Sequence, residues 1–201
     1  MGRSRRGGVA VRLGRWAAAA LAGVIVVGGA WWAAARWWPQ ALVSTGLAHR
    51  VVLYFADEQA LRLVPEVRYV PAWQDRPVDR LRLLAGGPRS GGLAPVIPPG
   101  ARPLLVRVDN GLAVADFSRE IVERHWGGSS GELMTVYGIV NTLADFPGVR
   151  QVRILVEGKP VETLAGHVDL SQPLTPDLSL VRPPDTRGAA LGRVTRVLPD
   201  S

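Results

Sequence analysis

A group of ionisable side chains lies close together in the sequence, directly after a hydrophobic run. Its members are Asp116, Glu120, Glu123 and His125. A glycosidase needs two carboxylates about 5 to 9 Å apart, and this spacing could supply such a pair. The structural interpretation is stronger, because Ser118 would cap a short helix whose first-turn acids are favoured by the helix dipole. We therefore predict that these residues are structural and that the chain has no catalytic residues.

A second set of candidate ligands consists of His125, His167 and Asp169. Imidazole and carboxylate groups are normal zinc ligands, so the three could form a His, His, Asp site. Residues two apart on an extended segment face the same side, and His167 and Asp169 could instead hydrogen-bond to each other. Such a bond would pin the last strand of the domain. We favour pinning over metal binding and predict no metal and no cofactor.

Hydrophobic patterning predicts the strands and helices that position these residues. Strands are predicted at 51–55, 61–70, 104–108, 112–117, 149–156 and 161–164, and helices at 77–84, just after Ser118, and at 129–146. Pro65 places the second strand at a sheet edge, and Asn110-Gly111 predicts a tight hairpin. The pattern is typical of an α+β domain with a small mixed or antiparallel sheet and helices packed on one face.

The longest predicted helix has Ser129 or Ser130 as its N-cap and ends before Pro147-Gly148. Its apolar face consists of Leu133, Val136, Tyr137, Val140 and Leu143. Asn141 lies in the middle of this helix, where an asparagine amide competes with the backbone. We expect Asn141 to hydrogen-bond the backbone of a neighbouring loop, with Thr142 and Tyr137 nearby, rather than a ligand.

The apolar segment 16–38 predicts a membrane anchor. The run from Trp16 to Ala35 contains no charge, and about twenty apolar residues span the roughly 30 Å hydrocarbon core of a bilayer. Four tryptophans at its end suit the membrane interface. Five arginines lie in residues 1–15, and such a cluster resists translocation. We predict a basic cytoplasmic N-terminus, a single transmembrane signal-anchor helix and an extracytoplasmic C-terminal domain.

A cleavable signal peptide is the alternative interpretation of this segment. Ala33, Ala34 and Ala35 offer a small-residue cleavage pattern. The apolar core of a signal peptide is typically about 7 to 15 residues, which is shorter than this run and favours the anchor. Whether the segment is cleaved is left open, and both interpretations export the domain.

Composition excludes several classes of function. Six of the 24 lysines and arginines are arginines in the first 36 residues, so the 18 that remain nearly balance the 17 acids. An almost neutral exported part does not offer a nucleic-acid surface. The chain contains no cysteine, which excludes disulfides, thiolate metal sites and a lipidated cysteine. No Lys-Ser or Lys-Thr pair is present, so a nucleotide phosphate loop is not predicted.

The chain is predicted to contain one folded domain. Residues 50–173 carry the strands and helices, and their number is close to the commonest domain size. Residues 39–49 form a linker to the membrane. Residues 174–201 are rich in proline, glycine and arginine and are predicted to be a disordered tail.

Seven short blocks of this domain form a recognisable series. They are Val52-Leu53-Tyr54-Phe55, Leu63-Val64-Pro65-Glu66, Ile97-Pro98-Pro99-Gly100, Ala115-Asp116-Phe117-Ser118, Val140-Asn141-Thr142-Leu143, Phe146-Pro147-Gly148-Val149 and Gly166-His167-Val168-Asp169-Leu170-Ser171-Gln172-Pro173. In this order the blocks resemble the GerMN domain family, a module named for a bacterial sporulation and spore-germination protein. The resemblance implies an extracytoplasmic, non-catalytic α/β module, often tethered to the membrane. This chain departs from lipoprotein relatives because it has no cysteine.

We predict a membrane-anchored binding or assembly module in sporulation, spore germination or cell-envelope processes. Its expected partners are the membrane, through the N-terminal helix, and envelope proteins or peptidoglycan; homo-oligomerisation is left open, and nucleic acid is not expected. The alternative is a peptidoglycan-remodelling enzyme that uses Asp116, Glu120 and His125.

Overall fold

The computed structural model describes residue 43 and residues 45–182. The chain divides into two units, residues 1–49 and residues 50–201. Among the described residues, no helix is long and apolar enough to cross a membrane. The predicted cytoplasmic N-terminus 1–15 and transmembrane segment 16–38 lie outside the described residues, so the anchor stays a prediction.

The described part contains seven strands and three α-helices. In chain order they are β1 (Ala48–Asp57), β2 (Leu63–Pro71), α1 (Pro77–Ala85), β3 (Leu93–Ala94), β4 (Pro103–Asp109), β5 (Leu112–Phe117), α2 (Glu120–Glu123), α3 (Ser129–Ala144), β6 (Gln151–Val156) and β7 (Lys159–Pro160). Two short 3-10 turns lie at Ala72–Gln74 and Leu178–Leu180. The α+β class is confirmed, and the three helices predicted for the domain are present within a few residues of their predicted bounds.

The strands form two sheets, whereas we predicted one. The first has the order β2-β1-β3, and the second has the order β4-β5-β6-β7, in which β5 and β6 are parallel. The two sheets stay separate because side chains of α3 and of the residue after it bond to the edge of β1. They occupy the positions where a further strand would pair. The N–H of Val52 donates to Asp145 Oδ2 at 3.1 Å, and the N–H of Tyr54 donates to Thr142 Oγ1 at 3.1 Å.

Helix α3 is buried around most of its circumference, although we predicted a single apolar face. Ten of its sixteen residues are buried, including Glu132, Thr135, Asn141 and Thr142. The predicted serine N-cap is also wrong, because the N-cap position is Gly128 and no side chain caps the helix. A helix in contact with the fold on several sides needs internal partners for its polar side chains, and this need explains the buried polar residues.

Gly138 sets how closely α3 approaches β1. A Cβ at this position would lie 2.9 Å from Val96 Cγ2 and 3.1 Å from the carbonyl oxygen of Tyr54. Because the second neighbour is backbone, Gly138→Ala should lower the free energy of unfolding by about 1 to 3 kcal/mol, despite the better helix propensity of alanine. Urea unfolding measures this change. Gly131→Ala in the same helix is the control, because its Cβ meets nothing closer than 4.0 Å, and equal effects of the two variants would contradict the account.

The loop after β7 differs from the sequence prediction. We predicted a final strand at 161–164, but β7 is limited to Lys159–Pro160 and pairs with the end of β6. The backbone N–H of Leu164 instead donates to a side-chain carboxylate of α3. The end of this segment is therefore held by a hydrogen bond to α3, and the segment does not extend the sheet.

Residues 174–182, here called the strap, are part of the fold, although we predicted that the disordered tail begins at 174. Leu174 and Val152 exchange two backbone hydrogen bonds of 2.8 Å. At the other end, the N–H of Arg182 donates to the Leu63 carbonyl at 2.7 Å, and its guanidinium pairs with Asp57 at 2.9 Å. The strap connects the two sheets, so the domain extends beyond the predicted boundary at 173. The rest of the predicted tail, 183–201, lies outside the described residues.

Candidate functional site

Glu132 in the first turn of α3 is the most highly bonded acid of the region. Its carboxylate is fully buried and accepts bonds from the loop 163–167, here called the anchored loop. Oε1 accepts from the hydroxyl of Thr163 at 2.5 Å and from the N–H groups of Leu164 and Ala165 at 2.8 and 2.9 Å. Oε2 accepts from the N–H of His167 at 2.7 Å. One side chain thus fixes the backbone of an entire loop.

These bonds determine the charge of Glu132. Burial by itself raises the pKa of a carboxyl group, but the Thr163 hydroxyl and the N–H groups of the anchored loop stabilise the charged form more strongly. The pKa of Glu132 is lowered to about 2. A general acid needs a pKa close to the working pH, so Glu132 is suited to holding the loop and not to proton transfer.

His125 is held in its neutral form by two hydrogen bonds. The N–H of Gly127 donates to Nδ1 at 3.0 Å, so Nδ1 carries no proton, and Nε2 therefore donates to Thr135 Oγ1 at 3.1 Å. Burial lowers the pKa of His125, and the nearby charge of Glu132 opposes this shift only in part. Both ring nitrogens have partners within the protein, which leaves neither free for a metal or a substrate.

We predicted a hydrogen bond between His167 and Asp169, but the two residues bond to other partners. The Nδ1 atom of His167 lies 3.3 Å from Glu132 Oε2, whereas Asp169 Oδ1 accepts from the N–H of Ser171 at 2.8 Å. His167 is pinned, but its partner is on α3. Among the described residues, no group of three histidines and acids is placed to hold a metal ion.

The acids near α2 also have structural partners. Asp116 Oδ1 accepts from the N–H of Gly158 at 2.8 Å, so it secures the turn between β6 and β7. The Ser118 hydroxyl, with further hydrogen bonding and nearby arginines, lowers the pKa of Glu120. Ser118 is not the predicted N-cap, because its Oγ accepts from the N–H of Arg102 at 3.0 Å and the cap position is Arg119. Among the described hydrogen bonds, none joins Asp116, Glu120 or His125 to another of the three.

Asn141 behaves as we expected, since its side chain bonds to loop backbone. Nδ2 donates to the carbonyl of Asp177 at 3.0 Å, and Oδ1 accepts from the N–H of the same residue at 3.0 Å. Asp177 belongs to the strap, so Asn141 holds the middle of the strap against α3. The prediction of a structural partner for this amide is confirmed.

Asn141→Ala should lower the free energy of unfolding by about 1 to 2 kcal/mol, because it removes both bonds to Asp177. The melting temperature should fall accordingly, and a protease should cleave the strap sooner. Leu178→Ala is a matched control in the strap, because Leu178 is 66% exposed and should change stability little. An unchanged melt of Asn141→Ala together with lost partner binding would reverse the assignment.

A groove of about 600 Å³ opens beside the start of α3. Its floor consists of small and apolar side chains, among them Ala56, Val96 and Met134, and its rim includes the half-exposed Trp126 and residues 127–131. Gly127 and Gly128 both have positive φ, which lets the backbone turn tightly at this rim. No ionisable side chain lines the groove. Such a lining can bind an apolar group but offers no acid or base.

Two buried ion pairs could not be predicted from the sequence. Arg80 on α1 bonds to Asp75 through two nitrogens and to Asp145 at 2.8 Å, and its guanidinium lies 5.0 Å from the Phe146 ring centroid. Arg68 pairs with Glu66 on β2. An arginine on a short amphipathic helix is usually exposed, and only the fold shows that these groups are interior.

Comparison with known proteins identifies relatives of this arrangement. A family model described as "Germane: Sporulation and spore germination" matches residues 52–162. Among curated proteins, none matches the chain. Among solved structures, the tandem GerMN domains of the sporulation protein GerM from Bacillus subtilis align with a TM-score of 0.52 at 21% identity. That alignment covers 64% of this chain and 46% of the tandem, and it shows a shared fold.

Two further structures align over the same share of the chain. The first GerMN domain of GerM from Bacillus subtilis has a TM-score of 0.47 at 20% identity and is covered over 96% of its length. A candidate lipoprotein from Clostridium perfringens has a TM-score of 0.46 at 26% identity and is covered over 87% of its length. The chain therefore spans less than half of the tandem structure and most of each of these two.

Proposed function

Because the chain belongs to the Germane family of sporulation and spore-germination domains, we propose that it is a non-catalytic binding and assembly module of the cell envelope. The family model covers more than half of the 201 residues, and the GerMN resemblance seen in the sequence is thereby confirmed. The proposed role lies in sporulation, spore germination or a related envelope process.

The observation that carries this proposal is that no ionisable side chain lines the groove. The groove lining contains no acid, base or nucleophile apart from serine and threonine hydroxyls. Glu132, His125 and Asp116 are engaged by backbone and side-chain partners of the fold. A hydrolase needs proton-transfer groups within hydrogen-bond reach of its substrate. The arrangement supports binding rather than turnover.

The proposed location is the outer side of a membrane. It rests on the apolar run that ends in tryptophans and on the arginines that precede it. A domain held in this way meets its partners at the membrane surface, where envelope proteins and peptidoglycan are within reach. We propose the groove beside Trp126 as the place where such a partner binds, because the half-exposed indole offers a large apolar surface at its rim.

Labelled peptidoglycan tests both parts of this proposal. The full-length chain in detergent is incubated with labelled sacculi, and pelleted protein and soluble label are counted separately. We expect protein in the pellet, no released label, and reduced pelleting of Trp126→Ala; the control Trp73→Ala changes another exposed tryptophan, which does not line the groove. Label release that is lost in Asp116→Ala would overturn the non-catalytic role. Absence of the wild-type protein from the pellet would exclude peptidoglycan and direct the search to envelope proteins.

A further inference from the structure

Strand β2 is the outermost strand of its sheet, and the direction of its backbone groups can be derived. The carbonyl of Arg62, just before β2, accepts from the N–H of Asp57, and the carbonyl of Leu63 accepts from the strap on the opposite side. Backbone groups alternate along a strand, so even-numbered residues of β2 face β1 and odd-numbered residues face outward. Among the described residues, the strap pairs with this outer edge only at Leu63.

Beyond Leu63 the outer edge is bounded by two prolines. Pro65 and Pro71 both occupy outward positions, where a missing N–H costs no bond within the sheet. Between them, the alternation directs the N–H and C=O groups of Val67 and Tyr69 away from β1, and among the described residues no strand pairs with this part of the outer edge. The part of the outer edge between the two prolines, residues 66–70, is here called the window. It is symmetric about Arg68, because each side has one residue that offers an outward N–H and C=O, followed by one proline.

Exposed apolar side chains are concentrated at this edge. Of the eleven large hydrophobic side chains exposed in the described part, four lie between residues 61 and 73. Val67 and Tyr69 are 42% and 43% exposed on the same face of β2, and Trp73, just beyond its end, is 73% exposed. The opposite face is occupied, because the Arg68 guanidinium bonds to Glu66 and to the Leu83 and Gly87 carbonyls. The unpaired backbone therefore lies beside an apolar surface.

We propose that this window pairs with the same window of a second copy, as two antiparallel β2 strands related by a two-fold axis at Arg68. Val67 of one copy then lies opposite Tyr69 of the other, and each pair exchanges N–H···O=C bonds in both directions. A β-branched residue opposite an aromatic residue is a favourable cross-strand pair. Pro65 falls opposite Pro71, so the hydrogen-bonded ladder ends at both sides where donors are missing.

The strap and the end of β2 are compatible with this pairing. In the proposed register Leu63 would lie opposite Trp73, but β2 ends at Pro71 and the chain then enters the 3-10 turn Ala72–Gln74. The strap can keep its bond to Leu63 because the partner strand has already turned away. The pairing would join two three-stranded sheets into one continuous sheet, an isologous interface that closes on itself. The pairing involves no residue of the groove, so it can hold or fail independently of the proposed binding role.

Cysteine cross-linking of the full-length chain tests the register, and the cysteine-free sequence gives a clean background. Chains carrying Val67→Cys and a first tag are mixed in detergent with chains carrying Tyr69→Cys and a second tag, and the mixture is oxidised. Hydrogen-bonded partners in an antiparallel pair have Cα atoms about 5.5 Å apart, which a disulfide spans. Two copies of residue 67 would be two residues out of register and beyond about 7 Å, where a disulfide cannot form without movement.

We expect the hetero-linked product to exceed either homo-linked product several-fold. Leu105→Cys on β4 replaces Val67→Cys in the control, because it is also about half exposed and should give only collisional linkage. Melting curves of both variants should match the parent chain. A hetero-linked product no greater than the control, or a dominant 67–67 product, would overturn the proposal. Linkage of either variant to a foreign protein in native membranes, in place of the dimer, would also overturn it.

Discussion

Replacing Glu132 by glutamine should lower the free energy of unfolding by about 3 kcal/mol. The carboxylate is fully buried, and the N–H groups of Leu164, Ala165 and His167 donate to it. Hydrogen bonds to a charged group contribute about 1.5 to 3 kcal/mol each and are not additive, and glutamine offers one acceptor oxygen in place of two. Urea unfolding of the parent and variant chains measures the loss.

The control for this variant is Glu123→Gln, because Glu123 lies exposed on α2. An exposed acid of this kind should change stability by no more than about 0.5 kcal/mol. Hydrogen exchange adds a local measurement, since the amides of the anchored loop should lose protection in Glu132→Gln alone. A stability loss without faster exchange in the anchored loop would mean that Glu132 acts elsewhere, and the role given to it here would be wrong.

Stability should also depend on pH in acid. The pKa of Glu132 is about 2 in the fold against an ordinary value of 4.5, because the bonds from the anchored loop outweigh burial. A lowered pKa contributes stability that is complete above pH 4.5 and is lost as the pH falls toward 2, with a magnitude of about 3 kcal/mol. Glu66 has the same lowered pKa and adds to the effect. The slope of stability against pH between 4.5 and 2 should therefore be shallower in Glu132→Gln.

Replacing Arg80 by alanine should lower the free energy of unfolding by about 3 to 5 kcal/mol. Only 3% of the Arg80 side chain is exposed, and it bonds to Asp75 and Asp145, while Asp145 also accepts from the N–H of Val52. Removing one member of a buried ion pair leaves charge behind in the interior, and this residual charge causes most of the loss. Arg80→Lys should recover only part of it, because an ammonium group cannot bond to Asp75 through two nitrogens.

Arg119→Ala is the control, because it breaks an ion pair at the surface. The Arg119 and Glu157 side chains are 60% and 46% exposed, and such pairs contribute at most about 1 kcal/mol. Denaturant unfolding of the two variants should therefore separate them clearly. If Arg80→Ala and Arg119→Ala lowered stability equally, the buried ion pairs of Arg80 would contribute no more to stability than a surface pair, which would contradict this prediction.

Local structure was predictable wherever neighbouring residues determine it. Asn110-Gly111 predicted the β4–β5 hairpin, and both residues have the positive φ that a tight turn needs. Pro65 predicted the outer position of β2, because a proline on that edge removes no bond from the sheet. These features depend on backbone geometry that each residue imposes by itself.

The division into two sheets was not predictable from the pattern. It depends on Thr142 and Asp145, whose side chains accept hydrogen bonds from N–H groups of β1 although they lie about ninety residues later in the sequence. A threonine and an aspartate near the end of a helix are ordinarily exposed or capping residues. Nothing in their immediate neighbourhood indicates that they replace a strand.

The site was only partly predictable for the same reason. His125 and His167 are near the same acid, but that acid is Glu132, which lies three residues after Ser129 and has the spacing of a capping box. Such a glutamate would be expected to face its own helix terminus. Its real partners belong to residues 163–167, more than thirty positions away, and only the tertiary fold brings them together.

An NMR titration of the Glu132 carboxyl group tests most directly whether the acids and histidines around α3 hold loops and perform no chemistry. We expect a pKa of about 2, with the carboxylate still charged when the ordinary glutamates have taken up protons. A pKa near neutrality would mark a group prepared to transfer a proton. That result would contradict the structural role of Glu132 and make the region around His125 a candidate active site again.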